Sequence, residues 1–146
     1  MGTLSPNRAA QITHVSQHLK NDGLFIFVQI FSHVDADEYQ RREMQKDHGF
    51  KARYFSRSDL VKKEKGVLRT IHGNEVTLEE METVLSARYR HCYVTWNSGN
   101  FYTLVASNSS KNLGRFVRGL VEPAIPHEYV YGTLPRRFFS ENNMEI

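Results

Sequence analysis

Three groupings in the sequence have residue types and spacing that could do chemistry. His14 and His18 stand one helical turn apart, the spacing at which two imidazoles can share a metal ion. With no acidic residue or third histidine close by in sequence, they read as two exposed polar positions. Cys92 is the single cysteine, which excludes an internal disulfide and any all-cysteine metal site. Lying between His91 and Tyr93 in a strand-like run, it reads as a buried small hydrophobe rather than a reactive thiol. The densest basic groups are Lys62-Lys63-Glu64-Lys65 and Arg136-Arg137, and both read as solvated surface rather than a phosphate track. The self-sufficient signatures are missing: no G-x-G-x-x-G, Walker loop, G-x-S-x-G, H-E-x-x-H or paired-cysteine spacing. Asn108-Ser109-Ser110 matches a glycosylation sequon, but a sequon without a secretory signal has no consequence.

The elements that must position any site are legible from patterning. At 146 residues the chain has the length of one domain with a core of its own. Its 40% hydrophobic share is that of a globular protein. No apolar run approaches the roughly 20 residues of a membrane-spanning helix. Residues 1–20 lack a continuous apolar core, so the expectation is a cytoplasmic protein without a signal peptide and without membrane contact. The net charge of +3 and pI of about 9.1 are compatible with nucleic acid without pointing to it.

The organising stretch is Ser5 to Phe31. Ser5-Pro6 reads as N-cap and first helical position, and Ala9, Ile12, Val15 or Ser16, and Leu19 form an apolar stripe. Asn21-Asp22-Gly23 turns the chain into Leu24–Phe31, which holds one polar side chain, Gln29, and therefore reads as a strand buried on both faces. Asp35 or Asp37 caps a second helix to about Asp47, with only Tyr39 and Met44 facing inward and a surface so charged that it packs weakly. Phe50–Phe55 alternates like a short strand, and Ser56 or Ser58 caps a helix through Leu68. Residues 70–76 read as a loop. Thr77-Leu78-Glu79-Glu80 is a capping box that starts a helix to about Ala87, with Leu78, Met81, Val84 and Leu85 inward. His91–Trp96 and Phe101–Ser107 form a hairpin about Asn97-Ser98-Gly99-Asn100. Ser109 or Ser110 caps a last helix with Leu113, Phe116, Val117 and Leu120 inward, and a tail with prolines at 123, 126 and 135 follows, fraying after Ser140.

This order of elements resembles the C-terminal half of class I S-adenosylmethionine-dependent methyltransferases. Their seven-stranded sheet ends in a fifth parallel strand, a crossover helix and a hairpin whose last strand lies antiparallel between its neighbours. The resemblance is carried by Leu4-Ser5-Pro6-Asn7-Arg8 ahead of the first helix, by Leu19-Lys20-Asn21-Asp22-Gly23-Leu24-Phe25-Ile26-Phe27-Val28 at the helix-to-strand junction, and by Gly99-Asn100-Phe101-Tyr102-Thr103-Leu104-Val105-Ala106-Ser107 in the final strand. It spans residues 4–108, leaving 109–146 as a helix and extended tail of the same single domain.

The resemblance implies an α/β fold, a partial Rossmann-like sheet of one buried parallel-type strand plus a C-terminal antiparallel hairpin, with a helical insertion. It implies a transferase acting on a small-molecule or lipid-like substrate, with S-adenosylmethionine as cofactor. The glycine-rich turn and second-strand acidic residue that hold this cofactor in the family lie before the matching stretch, and Gln29 stands where many relatives carry an acidic residue. The activity would then need the cofactor-binding half from a partner chain, and the apolar Leu24–Phe31 edge would favour that chain or a homodimer. By the same resemblance the substrate contacts fall in the loop after the strand and in the insertion: His33, Asp35 and Tyr39, with Tyr54 and Phe55 as walls. His33 is the candidate general base, its alternative role being a hydrogen bond at a helix entry. A different class of reading is a non-catalytic α/β module that pairs through its sheet edge. A third, base stacking by Tyr93, Trp96, Phe101 and Tyr102, ranks below both because hardly a basic residue shares their strands, and Trp96 and Phe101 read as core or lid packing.

Overall fold

The computed structural model describes residues 7–68 and 75–141. Four strands, β1 (Phe25–Ile30), β2 (His91–Ser98), β3 (Phe101–Ser107) and β4 (Arg136–Ser140), form one open antiparallel sheet in the order β1-β3-β2-β4. Among the described residues five α-helices accompany it: α1 (Arg8–His18), α2 (Ala36–Gly49), α3 (Arg57–Lys63), α4 (Leu78–Ser86) and α5 (Ser110–Arg118). The Ser5-Pro6 cap, residues 70–74 of the expected loop and the expected fraying beyond residue 141 lie outside the described residues.

The hairpin is the spine of the sheet. β2 and β3 pair from His91 opposite Ser107 to Ser98 opposite Phe101, with Thr95 bulged out of register. The connection is tighter than the sequence suggests, only Gly99-Asn100, and Gly99 takes a φ of +61°, which matches the twist of the flanking strands at no Cβ cost. β3 then lies antiparallel to β1 on its other side, Phe25 opposite Ala106 through Ile30 opposite Phe101. β4, drawn from the extended tail for which the sequence suggested no strand, pairs with β2 along the far edge.

β1 therefore sits at an edge with one ladder, and it is not the doubly buried, parallel-type strand that its composition suggests. Successive side chains point to opposite faces. Phe25 and Phe27 turn toward the main core with Leu104, Ala106, Cys92 and Val94, beneath α1 and α4. Ile26 and Val28 turn to the other face and are 47% and 62% exposed. On that face α5 covers only one end, where Leu113 packs on Tyr93 and Val105 with Leu24, Phe116 and Val117 alongside. The Ser107 hydroxyl donates to the Gly23 carbonyl and the Asn112 amide to the Asp22 carbonyl, which fixes the entry of β1 against α5.

Most helix boundaries follow from their caps. Thr77 and Glu80 make the reciprocal capping box of α4, whose Met81 and Leu85 are buried. Ser56 caps α3, which ends at Lys63 and passes into a π-helical turn over Glu64–Leu68 instead of running on as α-helix. The Phe50–Phe55 strand expected from alternation is a 3₁₀ turn, Lys51–Arg53, and among the described residues it pairs with none of the four strands. The apolar stripe of α1 is thinner than its spacing implies: Ile12 is buried while Ala9 and Val15 are exposed. The loop after β1 is tied down by the Ser32 amide on the Val76 carbonyl and a single parallel bridge to Thr77, which brings α4 under the sheet.

Among the described residues no helix is long and apolar enough to cross a membrane. Truncating a core side chain and an edge side chain separates the two environments of this sheet. Leu85→Ala should lower the unfolding free energy by about 2–5 kcal/mol in urea titrations, whereas Val28→Thr on the open face should stay within about 0.5 kcal/mol of the parent.

Candidate functional site

Tyr39, Glu43, Lys46 and Asp47 recur at intervals of four, three and one along α2, one face of a helix, and that face is turned inward. Glu43 is 1% exposed. A carboxylate buried this deeply persists only if it is paired and hydrogen-bonded. Its Oε1 accepts from Asn100 Nδ2 at 3.0 Å and from Lys46 Nζ at 3.5 Å, and its Oε2 accepts from Lys63 Nζ at 3.5 Å. One turn on, the Asp47 carboxylate receives Lys63 Nζ at 2.8 Å and Lys51 Nζ at 3.0 Å. Three lysines thus surround two carboxylates where α2, α3 and the hairpin turn meet.

The electrostatics of this cluster follow from burial and pairing. Burial lowers the Lys46 ammonium pKa against the pull of Glu43. Burial lowers Lys51 as well, helped by neighbouring Lys63. Burial also opposes the charges of Asp47 and Lys63, but their mutual hydrogen bond, with Lys51 added on the carboxylate, more than offsets it: Asp47 is held below its usual range and Lys63 above. Lys46 Nζ further lies 4.5 Å from the centre of the Phe101 ring, a cation–π contact that caps the open end of β3.

A second cluster, one turn nearer the start of α2, holds the tail. Glu38 accepts from both Arg41 and Arg42 at 2.7 Å, and those bonds hold its carboxyl down at about 2. Arg42 lies 3.8 Å over the Tyr131 ring and donates to the Tyr102 hydroxyl at 2.9 Å. The Tyr131 hydroxyl donates to Gln45, and its backbone amide donates to Asn97 Oδ1 at 2.6 Å. The proline-rich tail is thereby strapped across α2 and the hairpin.

Beyond the lysine cluster, α2 and α3 enclose an open cleft of about 600 Å³, within the range of small-molecule sites. Its apolar wall is Met44, Ala52, Phe55, Leu60 and Val61, and Asp47, His48, Arg57 and Glu64 stand among the polar groups. Met44, expected inside, is exposed here because the inward face of α2 is occupied by its charged residues.

Of the residues nominated from sequence, Phe55 lines this cleft while Tyr54 stacks on Phe50 at 5.5 Å and is 70% exposed. His33 and Asp35 are not part of this lining and stand at the start of α2. There His33 Nδ1 accepts from the Asp35 amide at 3.0 Å and the Asp35 carboxylate caps the amides of Asp37 and Glu38, so both are engaged in starting α2. Tyr39 is buried, and burial with the nearby Glu43 and Glu75 pushes its hydroxyl pKa up. Cys92 is buried and its thiol is raised by desolvation, as a structural cysteine should be. His14 and His18 lie with rings 4.8 Å apart, and among the described residues no group of three or more His, Cys, Asp or Glu is placed to hold a metal ion. Tyr93 and Tyr102, two of the four aromatics weighed for base stacking, are buried.

Sequence reasoning missed the lysine–carboxylate cluster by taking α2's charges as solvated surface. The signal available was the four-residue recurrence of Tyr39, Glu43 and Asp47 on one face.

No protein-family model, curated protein or solved structure matches this chain.

Two consequences are measurable. Glu43→Ala strands the Lys46 ammonium without its nearest counter-charge and takes one of two acceptors from the Asn100 amide, so it should cost about 3 kcal/mol or more of stability. Glu43→Gln keeps an acceptor for Asn100 and should cost less. The depressed Glu38 carboxyl binds fewer protons folded than unfolded, so its contribution is complete above the ordinary value of 4.5 and is lost as pH falls from there toward about 2. Thermal melts of Glu38→Gln against the parent should therefore differ by a constant amount above pH 4.5 and converge below it.

Proposed function

We propose that this chain forms the C-terminal portion of an S-adenosylmethionine-dependent methyltransferase acting on a small-molecule or lipid-like substrate. The observation that carries the reading is the placement of β3, the last strand of the hairpin, antiparallel between β1 and β2. That arrangement agrees with the expectation drawn from the junction and final-strand residues, and it leaves the outer edge of β1 as the place where the rest of such a sheet would continue. The open face at Ile26 and Val28 supports the same reading, since a neighbouring strand and helix would cover it.

The described residues do not fit the cofactor by themselves. At the end of β1, Gln29 Nε2 donates to Glu75 Oε2 at 3.0 Å and Arg8 pairs with the same carboxylate at 2.7 Å, so these groups are turned on one another, with the buried Arg8 Nε left unpartnered among the described residues, instead of lining a cradle. In this reading the cofactor-binding half is carried by a second polypeptide or by sequence flanking these 146 residues, and seats along β1. The present chain contributes the closing strands and, in the α2–α3 cleft, a wall for the acceptor.

The open edge and exposed Ile26 and Val28 also favour the second reading, a non-catalytic module that pairs edge to edge with another copy of itself. A photo-crosslinking residue at Val28, introduced in the source cells, decides between them. Linkage to a polypeptide segment bearing a glycine-rich strand–turn–helix, in a complex that binds S-adenosylmethionine by calorimetry, is the expected result. Linkage to a second copy alone, in a complex that does not bind the cofactor, would overturn the transferase reading and leave the pairing module.

A further inference from the structure

We infer that the α2–α3 cleft binds a small anionic amphiphile, with an apolar acyl or aryl body against Met44, Phe55, Leu60 and Val61 and an anionic head on the guanidinium of Arg57. Three independent features point to this ligand class. The cleft has room, about 600 Å³, and an apolar wall that is left in water: Phe55 is 57% exposed, and Met44 and Val61 are also exposed. Soluble domains do not commonly leave several large apolar side chains gathered around one concavity without a partner for it.

The segment that forms the cleft, residues 40–65, is basic overall, while the lining itself sets Arg57 and His48 beside Asp47 and Glu64. Residues 40–65 contain nine Lys and Arg against four Asp and Glu, an excess larger than the +3 of the whole chain. Such a field raises the local concentration of anions. Within the cleft the one deeply buried carboxylate, Asp47, is already bonded by Lys63 and Lys51, so its charge is compensated from behind. Glu64 is the remaining anion of the lining and is exposed to solvent, where its repulsion is screened.

Arg57 makes no ion pair or side-chain hydrogen bond among the described residues, while Lys46, Lys51 and Lys63 all have carboxylate partners. A guanidinium in this position offers a planar fork matched to a carboxylate or phosphate. His48, also in the lining, can offer a ring N–H to the same space as a second donor. A neutral amphiphile would use the wall and leave the fork solvated. A cationic one would meet the field with the wrong sign.

As a statement about the methyl acceptor this rests on the transferase reading, but as a statement about binding it is tested on the chain alone and without cofactor. Calorimetric titration with decanoate below its micelle concentration should give saturable one-to-one binding. Decanol should bind about tenfold more weakly, as befits loss of a charge-assisted pair, and decylammonium should give no saturation. Arg57→Ala should weaken decanoate about tenfold and leave decanol unchanged, whereas Phe55→Ser should weaken both. Circular-dichroism melts confirm that the variants fold, and because both positions are exposed their melting should match the parent.

Equal affinity for decanoate and decylammonium, or decanoate binding untouched by Arg57→Ala, would overturn the assignment. Co-sedimentation with anionic phospholipid vesicles that decanoate does not displace would also overturn it, assigning the lobe to a bilayer surface. Decanoate binding as described, with no cofactor-binding complex found by crosslinking at Val28, would sink the transferase reading and leave the ligand class standing. The reverse pair of results would sink the ligand class alone.

Discussion

The side-chain amide of Asn100 is shared between two acceptors on α2, the Tyr39 carbonyl at 3.1 Å and the Glu43 carboxylate at 3.0 Å. Asn100 sits in the two-residue turn that joins the sheet's two central strands, and its own carbonyl accepts the Phe31 amide at 2.9 Å. One buried residue thus ties the hairpin, the end of β1 and the helical lobe together. The turn that presents this amide to both acceptors is two residues long and holds Gly99 at its positive φ, so local backbone and tertiary anchor meet at one place.

Around that anchor the molecule divides its work. The sheet and helices α1, α4 and α5 make an apolar core of ordinary kind, where Leu85, Cys92, Val94, Leu104 and Ala106 are closed off from water. The α2–α3 lobe is held instead by charge: Glu43 and Asp47 among Lys46, Lys51 and Lys63, and Glu38 between Arg41 and Arg42. Lobes held by ion pairs over few apolar contacts are the ones that open locally at low cost. The open cleft lies on this same lobe, and the tail is fastened over α2 and the hairpin by Tyr131.

The edge strand and the lobe belong to one functional picture. β1 leaves its outer edge unpaired within the described sheet and Ile26 and Val28 exposed, and the cleft leaves Phe55, Met44 and Val61 exposed. Two unsatisfied apolar surfaces on one small chain are a stability liability unless each is covered in use. A sheet that continues across β1 and an acceptor that fills the cleft would cover both.

The sequence by itself determined the elements whose signals are local. The capping box at Thr77–Glu80, the hairpin and its glycine, the apolar face of α4 and that of α5 apart from the exposed Leu120 follow from interactions among residues a few positions apart, while for the other caps the sequence offered pairs of which the fold uses Asp35, Ser56 and Ser109. What tertiary structure decided is everything that depends on a neighbour distant in sequence. Leu24–Phe31 reads as doubly buried, yet only pairing shows that it borders one strand and has one open face. Phe50–Phe55 alternates like a strand, but a strand needs a partner ladder, and among the described residues it pairs with none of the four strands. The charged residues of α2 look solvated until Asn100 and Lys63 arrive from 57 and 20 residues away to satisfy Glu43. His33 and Asp35 read as site residues because of where they follow the strand, and the fold engages both in capping α2, while Phe55 was placed in the cleft by a turn that its own alternation did not announce. Burial of charge is a property of pairs, and one-dimensional patterning records residues singly.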